Sequence, residues 1–445
     1  MIEQELEILL IDPWFEGCAF YNGWSLLDKQ LSNESIIKYL KQSNKNIYIW
    51  YSHEHSDHFS ISFLKAINQI KQKVSILFQK TIDCRVLNFL KKQGFDVIEC
   101  LDGIEVRLNK KFKITTWKYR DGDSFCLIES NSTWILNTND CVISTQELAK
   151  LVSNKINTKT TKVDILFAQF GYANWIGNEL DFELRKKVAI EKLERIKLQA
   201  ELFTPSMIIP FASFAYFCHS ENFYLNDEQN SPNSLRTSEL LNTRQENIYF
   251  MKPLDTICIS NDLKNKNKLN ALSQKAEKHW EILKENITPD KIIIVNVEKI
   301  QITDIFNSFR RRMTINFLFL PQILELCGII KPLRVLINDI NSIAEISYIN
   351  GISFKNNLNN WDISLTSEVL EFIFKNEFGF NTTSVNGRYR AQNLNKNTEF
   401  GKFFVPQEYY KNGHGIFHPI ISSKVFFCLL IKLLQNYRKP KKVGL

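Results

Sequence analysis

Ser52-His53-Glu54-His55-Ser56-Asp57-His58 follows the apolar, β-branched and aromatic run Ile47 to Tyr51. It precedes a segment of helical periodicity, in which Phe63, Leu64, Ile67 and Ile70 share one face and Ser60 or Ser62 offers a cap. The heptapeptide is therefore expected on a loop between a strand and a helix. Three imidazoles and a carboxylate fall within its last six residues, although the whole chain has only seven histidines. Borderline divalent metals favour this mixture of nitrogen and oxygen donors. In extended backbone His53 and His55 face the same side and can bind one ion, whereas Asp57 and His58 begin the turn into the helix and can reach a second.

Working outward, Ile8 to Ile11 is a short apolar strand ending at Asp12-Pro13, and Val74 to Phe78 and Val97 to Cys100 are further strands around a helix from Cys84 to Leu90. Ile104 to Leu108, Lys113 to Trp117, Phe125 to Glu129 and Thr133 to Leu136 form consecutive antiparallel strands. Val163 to Phe167 is another strand, followed by a long charged helix from Glu179 to Phe203. Strands lying between helices without strict βαβ alternation predict an α+β fold, a four-layer αββα sandwich over residues 1–245. Residues 246–300 are polar, Asn- and Lys-rich, and are expected to form a helical connection containing the helix Leu272 to Leu283. Residues 301–445 form a C-terminal α+β extension: a helix around Phe306 to Arg312, strands at Arg334 to Ile340, Glu345 to Ile349, Ile352 to Lys355 and Asp362 to Leu365, and a helix from Ser367 to Asn376. This order, closed by Val385-Asn386-Gly387-Arg388-Tyr389, is similar to a sterol-carrier-type module.

The spacing from His53 to His58 resembles the HxHxDH signature of the metallo-β-lactamase superfamily. Asp12-Pro13-Trp14, Ala19-Phe20, Gly23-Trp24, Gln169-Phe170, Ala173-Asn174-Trp175 and Pro210 to Phe214 through His219, Glu221, Asn222 and Asp227 resemble the branch containing the CMP-N-acetylneuraminate hydroxylases, over roughly residues 8 to 230. The resemblance implies that Asp140 is a bridging carboxylate and His219 the last metal histidine. It also implies one further histidine between the cluster and Asp140, but no histidine occurs between residues 59 and 218. Asp121 or Asp123 can stand in as an oxygen donor, which favours iron or manganese over zinc. Otherwise Asp57, His58, Asp140 and His219 hold a single ion. The hydroxylases also carry a Rieske cluster, whose paired CxH and CxxH motifs are absent here.

The composition is that of a globular protein, at 44% hydrophobic and 23% charged, with 33 Phe pointing to a large core or an apolar-walled pocket. A net charge of +8 without a basic, aromatic-interleaved stripe argues for an anionic small-molecule substrate and against nucleic acid. No signal peptide or span of apolar residues is legible, and nine cysteines without a CxxC pair suit a reducing compartment, so a cytoplasmic location is expected. Trp14, Tyr172, Asn174, Trp175 and Asn222 are candidate substrate contacts at the rim of the fold; the alternatives are aromatic core packing for Trp14, structural packing for Tyr172, Asn174 and Trp175, and support of the metal ligands for Asn222. Arg310-Arg311-Arg312 reads as a solvated helix face or a phosphate contact, and His414 and His418 as loop residues able to complete a site. Three readings follow. The first is a metal-dependent hydrolase using one or two ions (zinc, or iron or manganese), with Asp57 or Asp140 handling the proton. The second is a non-haem iron oxygenase with a separate electron donor. The third is a non-catalytic binding protein on a degraded scaffold.

Overall fold

The computed structural model describes residues 1–263, 265–291, 295–356 and 358–411. His414, His418 and the basic segment 438–442 lie outside the described residues. Two compact units emerge: residues 1–176 with 181–290, and residues 177–180 with those from 291 onward.

In the first unit, β1 (Ile2–Gln4), β2 (Glu7–Ile11), β4 (Asn46–Tyr51), β5 (Val74–Gln79) and β6 (Asp96–Cys100) form one sheet in the order β1-β2-β4-β5-β6, parallel except for β1. The second sheet runs β12-β11-β10-β9-β8-β7, built from β7 (Glu105–Arg107), β8 (Phe112–Lys118), β9 (Ser124–Ser130), β10 (Thr133–Asn137), β11 (Ile165–Gln169) and β12 (Met207–Phe211). A short pair joins β3 (Trp24–Leu26) to β13 (Ala215–Phe217).

Alternation along the strands produces the layers, because successive side chains leave opposite faces of a sheet. Leu9, Ile11, Trp50 and Leu77 of the first sheet pack with Phe112, Ile114, Cys126, Ile128, Ile135, Ile165 and Met207 of the second, making the core between the sheets. Their neighbours Ile8, Leu10, Ile47, Ile49 and Ile76 point the other way, onto Ile37 and Leu40 of α1 (Asn33–Gln42), Phe63, Leu64 and Ile67 of α2 (Ile61–Ile67), and Leu90 of α3 (Arg85–Lys92). On the far side, Leu127, Leu136 and Leu166 meet Val152 of α4 (Gln146–Ile156) and Ile196 and Ala200 of α5 (Phe182–Phe203). This is an αββα sandwich. Ala276 and Trp280, from the helix Lys266–Glu285, are buried in that same outer core, so residues up to 290 belong to the first unit.

The second unit is α+β. Its sheet has the order β16-β15-β14-β17-β18, with β14 (Leu333–Ile337), β15 (Ser342–Ser347), β16 (Gly351–Lys355), β17 (Ile363–Leu365) and β18 (Arg390–Ala391). The strand expected from Arg334 to Ile340 ends at Ile337, because Asn338–Ile340 forms a 3-10 turn closed by Asn341 in the left-handed region at φ +44°. Phe306, Phe309, Phe374, Phe403 and Phe404 fill its core, which accounts for part of the phenylalanine excess. Arg310 donates to the carbonyls of Tyr348 and Ile349, and Arg312 to that of Phe374, so both arginines bind backbone carbonyls of the second unit. The long helix starts at Phe182 instead of Glu179, because residues 177–180 belong to the second unit: Asn178 exchanges two hydrogen bonds with Ala391, and Glu179 pairs with Arg390.

Candidate metal centre

Parallel strands bring their C-terminal ends to one edge of a sheet, and β2 and β4 are parallel neighbours. Asp12 leaves β2 in the left-handed region at φ +42°, its amide still bonded to the Trp50 carbonyl, and its carboxylate turns toward Ser52 at the end of β4. Asp12 Oδ1 accepts from the Ser52 amide at 2.7 Å; Oδ2 accepts from Ser52 Oγ at 2.8 Å, His58 Nδ1 at 3.0 Å and Asn139 Nδ2 at 2.8 Å. The Ser52 carbonyl is gripped by Gln79 Nε2 and Ser124 Oγ. Beyond it the loop closes into α2: the amides of His58 and Phe59 both bond the His55 carbonyl, and Ser60 Oγ caps the helix by accepting from the Phe63 amide.

These bonds fix the imidazole tautomers. Ser52 Oγ gives its hydrogen to Asp12, so at 2.9 Å it accepts from His53 Nδ1, which leaves a lone pair on His53 Nε2. His58 Nδ1 likewise donates to Asp12, so Nε2 is the nitrogen that offers a lone pair once its proton is displaced. That Nε2 is buried without a hydrogen-bond partner and faces Asp57 Oδ2 at 3.2 Å and Asp140 Oδ2 at 3.4 Å. His53 Nε2 lies 2.8 Å from His55 Nδ1, 3.8 Å from Asp123 Oδ1 and 4.0 Å from Asp140 Oδ2. One donor atom each from His53, His58 and Asp140 falls within 4.8 Å of the others. Nitrogen and carboxylate oxygen donors gathered this closely are a donor set on which a divalent cation can displace the His58 proton, so the residues present fit a metal ion.

The ionisation balance points the same way. Burial pushes His53 well below the usual histidine range, and the His58 and His55 imidazoles add to that. Burial also opposes charge on His58, but Asp57, Asp140 and Asp12 outweigh it and hold this imidazole well above the usual range. For Asp140, burial would raise the carboxyl; His58 and the other two imidazoles instead hold it far below the usual carboxylate range. Gln169, at the end of β11, donates to Asp140 Oδ1 at 3.2 Å and accepts from buried Lys192 at 3.2 Å.

His53, His55, Asp57, His58, Asp123 and Asp140 thus come together. Asp123 is the carboxylate beside His53, and the side chain of Asp121 lies outside the described residues. His219 is buried against Glu221, with 3.2 Å between Nδ1 and Oε2, and is not in the group formed by His53, His58 and Asp140. The Asn222 amide accepts from the His219 amide at 3.0 Å and donates to the Gly23 carbonyl at 2.9 Å, so it braces the His219 turn. Trp14 Nε1 donates to the Glu16 carbonyl, Asn174 is exposed and Trp175 is buried. Tyr172 gives its hydroxyl to the Leu225 carbonyl, and its ring lines a small cavity with Trp24, Gln169, Ser213, Phe217 and Gln229. Sequence reasoning passed over Asp12 as a pivot, along with Ser52, Asn139 and Lys192. The available signal was the polar residue directly after an apolar strand, at Asp12 as at Ser52.

No protein-family model matches the chain. Its sequence is similar to the cytidine monophosphate-N-acetylneuraminic acid hydroxylase of Xenopus laevis, with 31% identity over 139 residues, 30% of this chain and 22% of that protein. The corresponding hydroxylase of Asterias rubens is 26% identical over 266 residues, 55% of this chain and 38% of that protein. The chain therefore spans well under half the length of these relatives. Among solved structures, the metallo-β-lactamase fold protein YhfI from Bacillus subtilis shares 15% identity over 49% of this chain and 80% of that one, at a TM-score of 0.32. The four layers place the His53–His58 loop between a central strand and its helix, and over part of its length the chain is similar in sequence to CMP-N-acetylneuraminate hydroxylases.

Proposed function

We propose that the first unit is a metal-dependent enzyme that hydrolyses an anionic small molecule, with His53, His55, Asp57, His58 and Asp140 holding one or two divalent cations. The observation that carries this reading is His58 Nε2, a buried ring nitrogen turned toward two carboxylate oxygens, with His53 within the same group. When bound, such a cation supplies Lewis acidity, lowering the pKa of water and polarising an oxygen of the substrate. The chain's own groups do the rest. Asp12 fixes the imidazoles, Gln169 and Lys192 orient Asp140, and Asp57 Oδ1, buried without a partner, is free to take a proton. The net charge of +8 supports an anionic substrate, nucleotide- or sugar-linked. The test is elemental analysis of the full-length chain after reconstitution, together with hydrolysis of bis-p-nitrophenyl phosphate. Bound metal that is lost in His58→Ala and chelator-sensitive hydrolysis are expected; wild-type protein that retains no zinc, iron or manganese refutes the proposal.

A second reading is an iron-dependent hydroxylase with a separate electron donor. Asp123 beside His53 supports it, since oxygen-rich donor sets suit iron better than zinc, and the relatives bear hydroxylase names. Reductant-dependent oxygen consumption by the iron-loaded chain would favour it over hydrolysis.

A further inference from the structure

Cys18, Cys218 and Asp290 meet within the first unit, although Cys18 and Asp290 are 272 residues apart in sequence. The two sulfurs and one carboxylate oxygen all lie within 4.8 Å of one another, and neither cysteine is in a disulfide. The backbone fixes two of the three groups: the Asp290 amide donates to the Cys218 carbonyl at 2.8 Å, and the Cys218 amide to the Gly23 carbonyl at 2.9 Å. Side-chain bonds aim the carboxylate. Asp290 Oδ1 accepts from Tyr216 at 3.0 Å and Lys29 at 3.3 Å, which leaves Oδ2 facing Cys18 Sγ at 3.8 Å. Cys218 Sγ, 3.4 Å from the Asn22 carbonyl, is the buried member, and Cys18 is exposed.

We propose that Cys18, Cys218 and Asp290 form a second metal site, for a thiophilic divalent cation such as zinc, sharing no ligand with the histidine cluster. A tetrahedral zinc ion at about 2.3 Å from sulfur and about 2.0–2.2 Å from oxygen separates its ligand atoms by roughly 3.5–3.8 Å, a spacing that Cys18 Sγ and Asp290 Oδ2 already have at 3.8 Å and that the 4.8 Å limit on the group brings within about 1 Å for the others. Charge balances too. Two thiolates and a carboxylate contribute three negative charges, which a divalent cation and Lys29 neutralise. Binding releases the two thiol protons, and water completes the coordination on the exposed Cys18 side. The ion would clamp the loop whose Phe20 amide bonds Ser56 Oγ at 2.8 Å in the histidine loop onto the end of β13, next to His219.

The test uses the full-length chain, reduced, stripped with chelator and titrated with cobalt(II). Thiolate-to-cobalt charge-transfer absorption is expected in the wild type and in His58→Ala, and is lost in Cys18→Ser. Cys141 adjoins Asp140, so the Cys18→Ser comparison is what assigns the band. Zinc is also expected to slow alkylation of Cys18 at least tenfold. A reduced wild type without the band, a band that survives in Cys18→Ser, or alkylation unaffected by zinc overturns the proposal. Asp290→Asn, which keeps the hydrogen-bonding shape, is expected to weaken cobalt binding while leaving the fold intact by circular dichroism; unchanged cobalt affinity in this variant removes Asp290 from the site.

Discussion

Asp12 holds three donors on one oxygen and a fourth on the other, and two of these groups, Ser52 and His58, set the direction in which the imidazoles point. Groups that orient metal ligands typically change affinity by about 10- to 100-fold when removed. Asp12→Asn is expected to weaken metal binding by that factor in a competition titration with a chromophoric chelator, and an unchanged affinity would show that the pivot is dispensable. Lys192 offers a pH test. Burial is the main cause that pushes its ammonium down to about 8, with Arg195 adding to it, from an ordinary value of 10.5. Between those values the unfolded chain binds more protons than the folded one, so stability should rise with pH across that window, by about 3 kcal/mol in all. In Lys192→Met this rise should vanish from the difference between the two urea-unfolding profiles; parallel profiles would mean that the amine titrates normally. His53 to His58 was legible because its ligands are adjacent in sequence. Asp123 was legible only through the histidine missing before Asp140, whereas Asp12 and the Cys18–Cys218–Asp290 group lie far in sequence from their partners and only the fold brings them together.

At the scale of the element, β4 and α2 carry the histidine loop between a buried strand and a capped helix. Ser60 supplies the cap, and Phe63, Leu64 and Ile67 anchor the helix in the outer core. Ser60→Ala should lower stability by about 1 kcal/mol in chemical denaturation, as loss of a serine cap generally does; no loss would mean that the loop itself supports the helix. Hydrophobic alternation revealed most of the strands of both sheets. It failed for β12, where Pro210 interrupts the pattern, and the strand order explains why: β12 is at the edge of its sheet, where a missing amide is tolerated. It failed for β3 and β13 as well, since three-residue strands are too short to show a period.

At the scale of the molecule, the three buried clusters of the first unit draw on no residue beyond 283, whereas the second unit has its own phenylalanine core. Phe309, fully buried among Phe374, Tyr348 and Phe404, tests that separation. Phe309→Ala should cost about 3–5 kcal/mol, the usual range for such a truncation. Metal stoichiometry at the histidine cluster should stay at the wild-type value, and its loss would mean that the two cores are energetically one. Among the described residues no helix is long and apolar enough to cross a membrane.

Residues 177–180 give this division a temporal side. The chain leaves the first unit for four residues, and the partners of that excursion, Ala391 and Arg390, lie 213 and 211 residues downstream of Asn178 and Glu179. At a synthesis rate of about 5–20 residues per second, the segment waits on the order of ten seconds or more before its partners leave the ribosome. A nascent chain arrested near residue 290 thus has every strand of the sandwich but not yet the strand that Asn178 and Glu179 bond.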